Sequence, residues 1–390
     1  MKDHSVFYQP LDPFSFLERI AKIYPDKEAI AYKDSSYSYS LFKERVIRLG
    51  QALKDAGVNK GDRVAYLLPN IPQMLEGHFG PLGVGSVLVP INTRLSASEI
   101  EYIINHSSAK ILVFDSEFSE TVKRLKNRTP ELQTLVQVAD EYPFDSSIPS
   151  IEYETFISNP VGHHQRTYFD SELDTISINY TSGTTGLPKG VQCHSRGAFL
   201  NSLGEIIETS LESESKYLWT LPMFHCNGWC NTWAVTAVGG THICLRSTDP
   251  DLVFNLVHKH KPTHMCAAPT LLIKMYSYKG TGELDLSGMT IATGGAPPAP
   301  QGVKKIEAMG ANIIHLYGLT ETFGPYTLNF ANGKNKFANS ADKSKQGFPY
   351  IHTQNGLKVL NPCGEEVPAD GVSVGEIVMR SNGVTSGYYK

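Results

Sequence analysis

Between Phe42 and Tyr317 the chain alternates segments of helical spacing with short continuous apolar runs, and this alternation constrains the fold more than any other feature. Phe42, Val46, Leu49, Leu53 and Ala56 share one helical face. Gly57 and Gly61 end that segment, and Val64 to Leu68 reads as a buried strand. Ser96 and Glu99 form a capping-box pattern ahead of Ile100, Ile103 and Ile104. Lys110 to Asp115 is the next strand. Strands that alternate with helices require crossover connections, so the expected fold is α/β with mostly parallel sheets covered on both faces.

The rhythm breaks between Pro130 and Asp170, a stretch rich in Pro, Ser and acidic residues. A sub-domain junction is expected there. Strand patterns then return at 175–180, 218–221, 241–245, 264–267, 290–293 and 313–317. Asp249 and Pro250 fit an N-cap and first turn for a helix running to His260. After about Gly356 the pattern becomes short strands and turns, with Asn361 to Glu366 as a hairpin signal. The expected architecture is a first doubly wound α/β unit over about 1–170, a second over 171–355, and part of a small β-barrel-like region over 356–390.

Composition excludes several classes. The chain has 390 residues, a 41% hydrophobic and 19% charged content, and a net charge of −4. These values fit a globular protein and give nucleic-acid binding no electrostatic support. Six cysteines at irregular positions suggest a reducing compartment rather than a disulfide framework. The N-terminus lacks the layout of a signal peptide, and no apolar run reaches membrane-spanning length. A cytoplasmic protein without transmembrane segments is expected. A homodimer is compatible with the sequence, which does not fix the oligomeric state.

The chemistry concentrates at Tyr180 to Gly190, YTSGTTGLPKG. This stretch follows a strand and is expected to precede a helix starting near His194. Gly183 and Gly186 let backbone N–H groups approach a polyanion. Thr181, Ser182, Thr184 and Thr185 add hydroxyl donors, and Lys189 adds a full charge. It is not a Walker loop: Pro188 stands where that pattern needs Gly, and Gly190 where it needs Ser or Thr.

This loop resembles that of the acyl-adenylate-forming superfamily, which includes acyl-CoA synthetases, luciferases and peptide-synthetase adenylation domains. Three further segments resemble it in the same order. They are Gly294 to Pro298, Tyr317 to Thr322, and the Gly375–Glu376–Ile377, Arg380 and Gly387–Tyr388 stretch. The resemblance spans most of the chain and implies the large N-terminal part of an ATP-dependent acid:CoA ligase. In that family a carboxylate is joined to AMP with release of pyrophosphate, then passed to coenzyme A. The implied ligands are ATP or AMP, Mg²⁺, coenzyme A and a small carboxylic acid.

The resemblance also implies residue roles. Thr181 to Gly186 and Lys189 would hold the β/γ phosphates, and Thr184 with Glu321 would position Mg²⁺. Thr320 would hydrogen-bond the α-phosphate. Tyr317 would stack on adenine, with Gly295, Ala296 and Pro297 on the other side and Gly318 beside it. His225 would lie next to the carboxyl, while Cys226, Trp229, Gly318 and Thr322 would contact the acid. Lys189, His225, Thr320 and Glu321 form the expected catalytic set. A carboxylate is already ionised at neutral pH and needs no general base, so placement and charge neutralisation suffice.

Other readings of Pro222 to Trp233 exist. His225, Cys226 and Cys230 could form a zinc cluster, but a second ligand pair of the usual spacing is missing. Trp229 and Trp233 are spaced i, i+4, so both could lie on one buried helix face. That reading is preferred for Trp233, whereas Trp229 resembles a gate to a fatty-acyl tunnel. The stretch His225 to Trp233 has no Asp or Glu, which favours an acid with an uncharged tail over an amino acid.

A medium- or long-chain fatty acid fits the NGW and GLTET context best, with aryl, short or thioether acids as alternatives. Amino-acid adenylation, luciferase-like oxidation and a non-catalytic nucleotide-binding module are the rival classes. The family's small C-terminal lid domain lies beyond the Gly-Tyr stretch and is not among these residues. The 390 residues are therefore expected to bind ATP or AMP but to turn over poorly alone.

Overall fold

The computed structural model describes residues 8–125, 127–158, 166–181, 186–278, 284–329, 340–345 and 347–390. Two large sheets dominate. In the first, strands run in the spatial order 388–389, 189–194, 175–181, 87–90, 63–67, 109–115, 134–138 and 151–152. In the second the order is 348–349, 324–328, 312–319, 290–293, 264–267, 216–218, 241–243, 28–32 and 35–38. The centre of each sheet is parallel, and antiparallel pairs appear at the edges.

Alternation along the strands sorts side chains into three cores. Val64 and Tyr66 face a core shared by both sheets. Ala65 and Leu67 face the opposite side, under the helices Ala97–Ser107 and Ser119–Leu125. Met265, Ile291 and Ile313 face a third core under Pro250–His260 and Pro300–Ala308. The result is a five-layer α/β/α/β/α stack. Its middle layer contains the helices Phe14–Ile23, Tyr39–Asp55, Ser195–Thr209 and Asn231–Val238. Among the described residues, no helix is long and apolar enough to cross a membrane.

Local signals are realised where the sequence placed them. Ser96 and Glu99 form a reciprocal capping box. The Asp249 side chain accepts from the N–H groups of Asp251 and Leu252. Asn361 caps a tight turn by accepting from Cys363 N and Glu365 N.

Sheet membership corrects the expected division near residue 170. The hairpin Glu28–Ser38 belongs to the second sheet, pairing Ile30 with His242. Conversely, strands 175–181 and 189–194 complete the first sheet. The two units therefore exchange elements, because a strand joins whichever open edge accepts its ladder. The barrel-like region is, among the described residues, a two-stranded ribbon of Leu357–Leu360 and Glu376–Met379. The strand expected at 218–221 is Lys216–Leu218. Beyond it, the side chains of Asn70 and Thr220 take over the hydrogen bonds: Asn70 donates to Trp219 O and Leu221 O, and Thr220 donates to Cys266 O.

Candidate active site

The segment expected to lead straight into a helix is a hairpin. Thr175–Thr181 pairs antiparallel with Lys189–His194, with Thr181 opposite Lys189, and the helix begins at Ser195. The hairpin is tight because Gly190 has no side chain: a Cβ there would lie 2.9 Å from Ile178 Cγ2. Ser182, Gly183, Thr184 and Thr185 lie outside the described residues. Gly186 is described and exposed.

The second element is the turn between the antiparallel strands Asn312–Leu319 and Gly324–Leu328. Gly318 permits a close crossing, since a Cβ there would lie 2.0 Å from Gly324 O. Thr320–Thr322 form a short 3₁₀ turn, closed by Phe323 and Gly324 at φ 58° and 120°. Thr322 is buried. Its hydroxyl accepts from Leu319 N at 2.9 Å and donates to Gly324 O at 2.8 Å. Thr322 therefore ties the turn and is not among the cleft-lining residues.

The third element is the loop after Leu221. Cys226, Asn227, Gly228, Trp229 and Cys230 all have positive φ, between 42° and 60°. A left-handed run of L-residues costs roughly 1–2 kcal/mol per residue, so something must hold it. Asn227 Oδ1 accepts from Ser177 Oγ at 2.8 Å and Asn179 Nδ2 at 2.6 Å. Thr232 donates to Asn227 O and Asn231 to Gly228 O, each at 3.3 Å. These polar anchors were not singled out in the sequence, although the density of Asn around residues 227–231 was a usable signal. The run also separates Trp229 from Trp233. Trp233 lies fully buried on Asn231–Val238 and donates to His78 O, whereas Trp229 faces the cleft. The two do not share a helix face.

These elements enclose a cleft of about 480 Å³. Its lining includes Thr181 and Lys189 from the hairpin, His225, Cys226 and Trp229 from the left-handed loop, and Gly295. Gly318, Thr320 and Glu321 line it from the turn. Ala296, Pro297 and Tyr317 are exposed or half-buried beside it and are not lining residues. Leu316, Leu319, Gly324, Pro325 and Tyr388 line it as well, and none of these had been assigned to the site.

Polar geometry within the cleft is specific. Cys226 Sγ donates to Thr320 Oγ1 at 3.3 Å. Burial pushes the Cys226 thiol up to about 11, so it stays protonated. His225 opens onto the cleft but is hemmed in by protein, and this desolvation lowers its pKa from the ordinary imidazole value. Its ring is neutral at pH 7. Glu321 Oε1 accepts from the Tyr388 hydroxyl at 2.8 Å, and Lys189 Nζ lies 5.1 Å from the Tyr388 ring centroid. Among the described residues no group of three His, Cys, Asp or Glu could hold a metal. The oxygen chemistry of Glu321 suits Mg²⁺, which is usually bound by one or two carboxylates together with substrate phosphates.

The AMP-binding enzyme family matches residues 17–389. The 4-hydroxybutyrate–CoA ligase 2 of Metallosphaera sedula is 38% identical over 395 residues, covering 98% of this chain and 71% of that protein. The peroxisomal butyrate–CoA ligase AAE11 of Arabidopsis thaliana is 35% identical over 400 residues, covering 98% and 69%. The peroxisomal trans-cinnamate:CoA ligase of Petunia hybrida is 33% identical over 405 residues, covering 98% and 71%. The solved structure of the anthranilate CoA ligase AuaEII with anthranoyl-AMP superposes with a TM-score of 0.88 at 23% identity, covering 98% of this chain and 72% of that one, and so shares the fold. The chain belongs to the AMP-binding enzyme family.

Proposed function

We propose that this chain carries out ATP-dependent activation of a carboxylic acid, the first half of acid–CoA ligation. One carboxylate oxygen attacks the α-phosphorus of ATP, the bond to the β-phosphate breaks, and pyrophosphate leaves with its electron pair. Coenzyme A then takes the acyl group and AMP departs. The reading is supported by one observation above all: Lys189, His225, Thr320 and Glu321, distant in sequence, line a single cleft.

In this reading Lys189 neutralises the leaving phosphates, with the 182–186 loop around them. Thr320 donates to the α-phosphate, and its contact with Cys226 fixes its rotamer. Neutral His225 hydrogen-bonds the carboxyl without forming a competing ion pair. Tyr317 stacks on adenine, with Gly295, Ala296 and Pro297 on the other side. Glu321, and by the family resemblance Thr184, would hold Mg²⁺, which when bound would offset phosphate charge.

The acid has an uncharged tail. A medium- or long-chain fatty acid is the reading in which Trp229 swings aside as a gate. A short or aryl acid is the second reading, favoured by the position of the indole. A Cβ on Gly294 would lie 2.9 Å from Trp229 Cη2, so the ring packs closely against Gly294 in the cleft wall. Relatives are named for acids of both short and aryl kinds, and several are named as peroxisomal. A cytoplasmic setting is part of this proposal and is read out by localisation of the tagged full chain.

The deciding experiment is acid-dependent exchange of labelled pyrophosphate into ATP, using the full chain and a panel of acids. Exchange with carboxylic acids is expected. ATP binding with no exchange for any acid would point instead to a non-catalytic nucleotide-binding module.

A further inference from the structure

His225 opens onto the cleft, and among the described residues its ring makes no hydrogen bond. The backbone that carries it therefore sets where the imidazole lies. That backbone has already left the second sheet, because strand Lys216–Leu218 has ended and helix Asn231–Val238 has not begun. A buried segment outside a ladder needs other partners for its N–H and C=O groups.

Asn70 supplies them where the segment begins. It belongs to the other sheet, between the end of strand Arg63–Leu67 and helix Pro72–Gly77, and it is buried. Its Nδ2 donates to Trp219 O and to Leu221 O, each at 2.8 Å, and its Oδ1 accepts from Met223 N at 2.8 Å. Both amide donors and the carbonyl are thus committed. Two acceptors and one donor also fix which way the amide faces. Alternate residues of an extended chain present their backbone groups to one side, so Asn70 stands in for a neighbouring strand at residues 219, 221 and 223.

The other end of the segment is held from the same sheet. Asn227 Oδ1 accepts from Ser177 and Asn179, both on strand Thr175–Thr181. Trp219 links the two ends. Its carbonyl accepts from Asn70, its indole N–H donates to His242 Nδ1 at 3.0 Å, and its ring abuts Gly228, where a Cβ would lie 2.6 Å from Trp219 Cζ3. His225 lies between Met223 and Asn227, the residues that take these anchors. The first sheet, which supplies both anchors, also carries Lys189 on its hairpin.

We propose that Asn70 is a positioning residue for acid activation, holding His225 at the separation from the Lys189 hairpin at which carboxylate and α-phosphate meet. This rests on the acid-activating reading above. Asn70 does not line the cleft, so it acts through His225. Without its side chain, two carbonyls and an N–H lose their partners, and the segment shifts to recover them. A displacement of about 1 Å at a reacting group can cost about 10²-fold in rate. Lys189, Thr320 and Glu321 make no hydrogen bond to Asn70 among the described residues, so the nucleotide side should be spared.

The test is a double-mutant cycle on acid-dependent pyrophosphate exchange, using the full chain with butyrate, octanoate and benzoate. Asn70→Ala should lower kcat/KM for the acid about tenfold or more, with the Kd for ATP, measured by calorimetry without acid, unchanged. In a His225→Ala background it should have little further effect, because residues that act through one another are not additive. If His225→Ala shows no exchange, the split between acid and ATP decides alone. Asn70→Asp keeps the acceptor but sets a carboxylate against two carbonyls, and should do no better than Asn70→Ala. Urea midpoints establish that each variant is folded. Equal losses in both backgrounds, or a parallel loss of ATP affinity, would make Asn70 a general stabiliser and overturn the proposal. Full activity in folded Asn70→Ala overturns it too, as does failure of Asn70→Ala, Asn70→Asp and Asn70→Ser to fold. Absence of exchange by wild type with every acid would remove the acid-activating reading itself, an outcome distinct from exchange with additive losses.

Discussion

The Cys226 thiol donates to the Thr320 hydroxyl at 3.3 Å although 94 residues separate them. The bond joins the left-handed loop to the 3₁₀ turn across the candidate cleft. The protonated thiol fixes the direction of the Thr320 oxygen. Cys226→Ala should lower kcat/KM for exchange roughly tenfold, the scale of one misplaced hydrogen bond. Cys226→Ser, which keeps a donor, should restore most of it.

Trp229 sets how far the acid can enter. Trp229→Ala should shift the preferred acid towards longer chains, with roughly tenfold gains for those that wild type uses poorly. Gly294→Ala should disturb the same ring, because the new Cβ would lie 2.9 Å from both Trp229 Cη2 and Leu316 O. An acid panel in the exchange assay reads both. An unchanged chain-length profile for Trp229→Ala would remove its gating role.

Tyr388 competes for Glu321. Its hydroxyl occupies Oε1 at 2.8 Å, the atom proposed to face Mg²⁺. Tyr388→Phe should therefore lower the Mg²⁺ concentration needed for half-maximal exchange. Glu321→Gln should raise it and reduce exchange about 10²-fold or more, as loss of a preorganised electrostatic group does. Magnesium titration of the two variants checks both directions.

Arg246 joins the two sheets. It follows the strand Thr241–Ile243 and makes paired bonds of 2.7 and 2.8 Å to Asp115, which ends a strand of the other sheet. Asp115 is fully buried, and Arg246 also bonds Asp140 and Glu117. Arg246→Ala leaves a buried carboxylate without its partner and should cost about 3–5 kcal/mol. Urea denaturation measures this directly.

Stability should fall in mild acid. Burial holds His78, His242 and His352 at about 4, about 3 and about 4, below the ordinary 6.5. As pH falls below about 6.5 the unfolded chain gains protons that the folded chain refuses, so folding weakens towards the folded values. Glu205 runs the other way. Raised to about 8, it contributes fully below the unfolded value of 4.5, and that contribution is lost as pH rises through about 8. Urea midpoints at pH 5 to 9 should show the acid loss, and Glu205→Gln should gain on wild type as pH rises.

Sequence alone determined the local grammar. Helical spacing, the Ser96–Glu99 box and the Asp249–Pro250 start depend on neighbours a few residues apart, so they are legible without a fold. The hydroxyl- and glycine-rich stretch before Lys189 and the Tyr317 to Thr322 segment were legible for the same reason. Tertiary structure decided where elements pair. The exchange of Glu28–Ser38 into the second sheet depends on which edge lies open, and no local pattern encodes that. It also decided that Thr322 braces a turn, that Trp229 and Trp233 part company, and that Glu205 lies buried with one carboxyl oxygen, Oε2, unpartnered. Each depends on packing between segments far apart in the chain. The left-handed run at Cys226–Cys230 is disfavoured for L-residues locally, and hydrogen bonds from a distant strand sustain it.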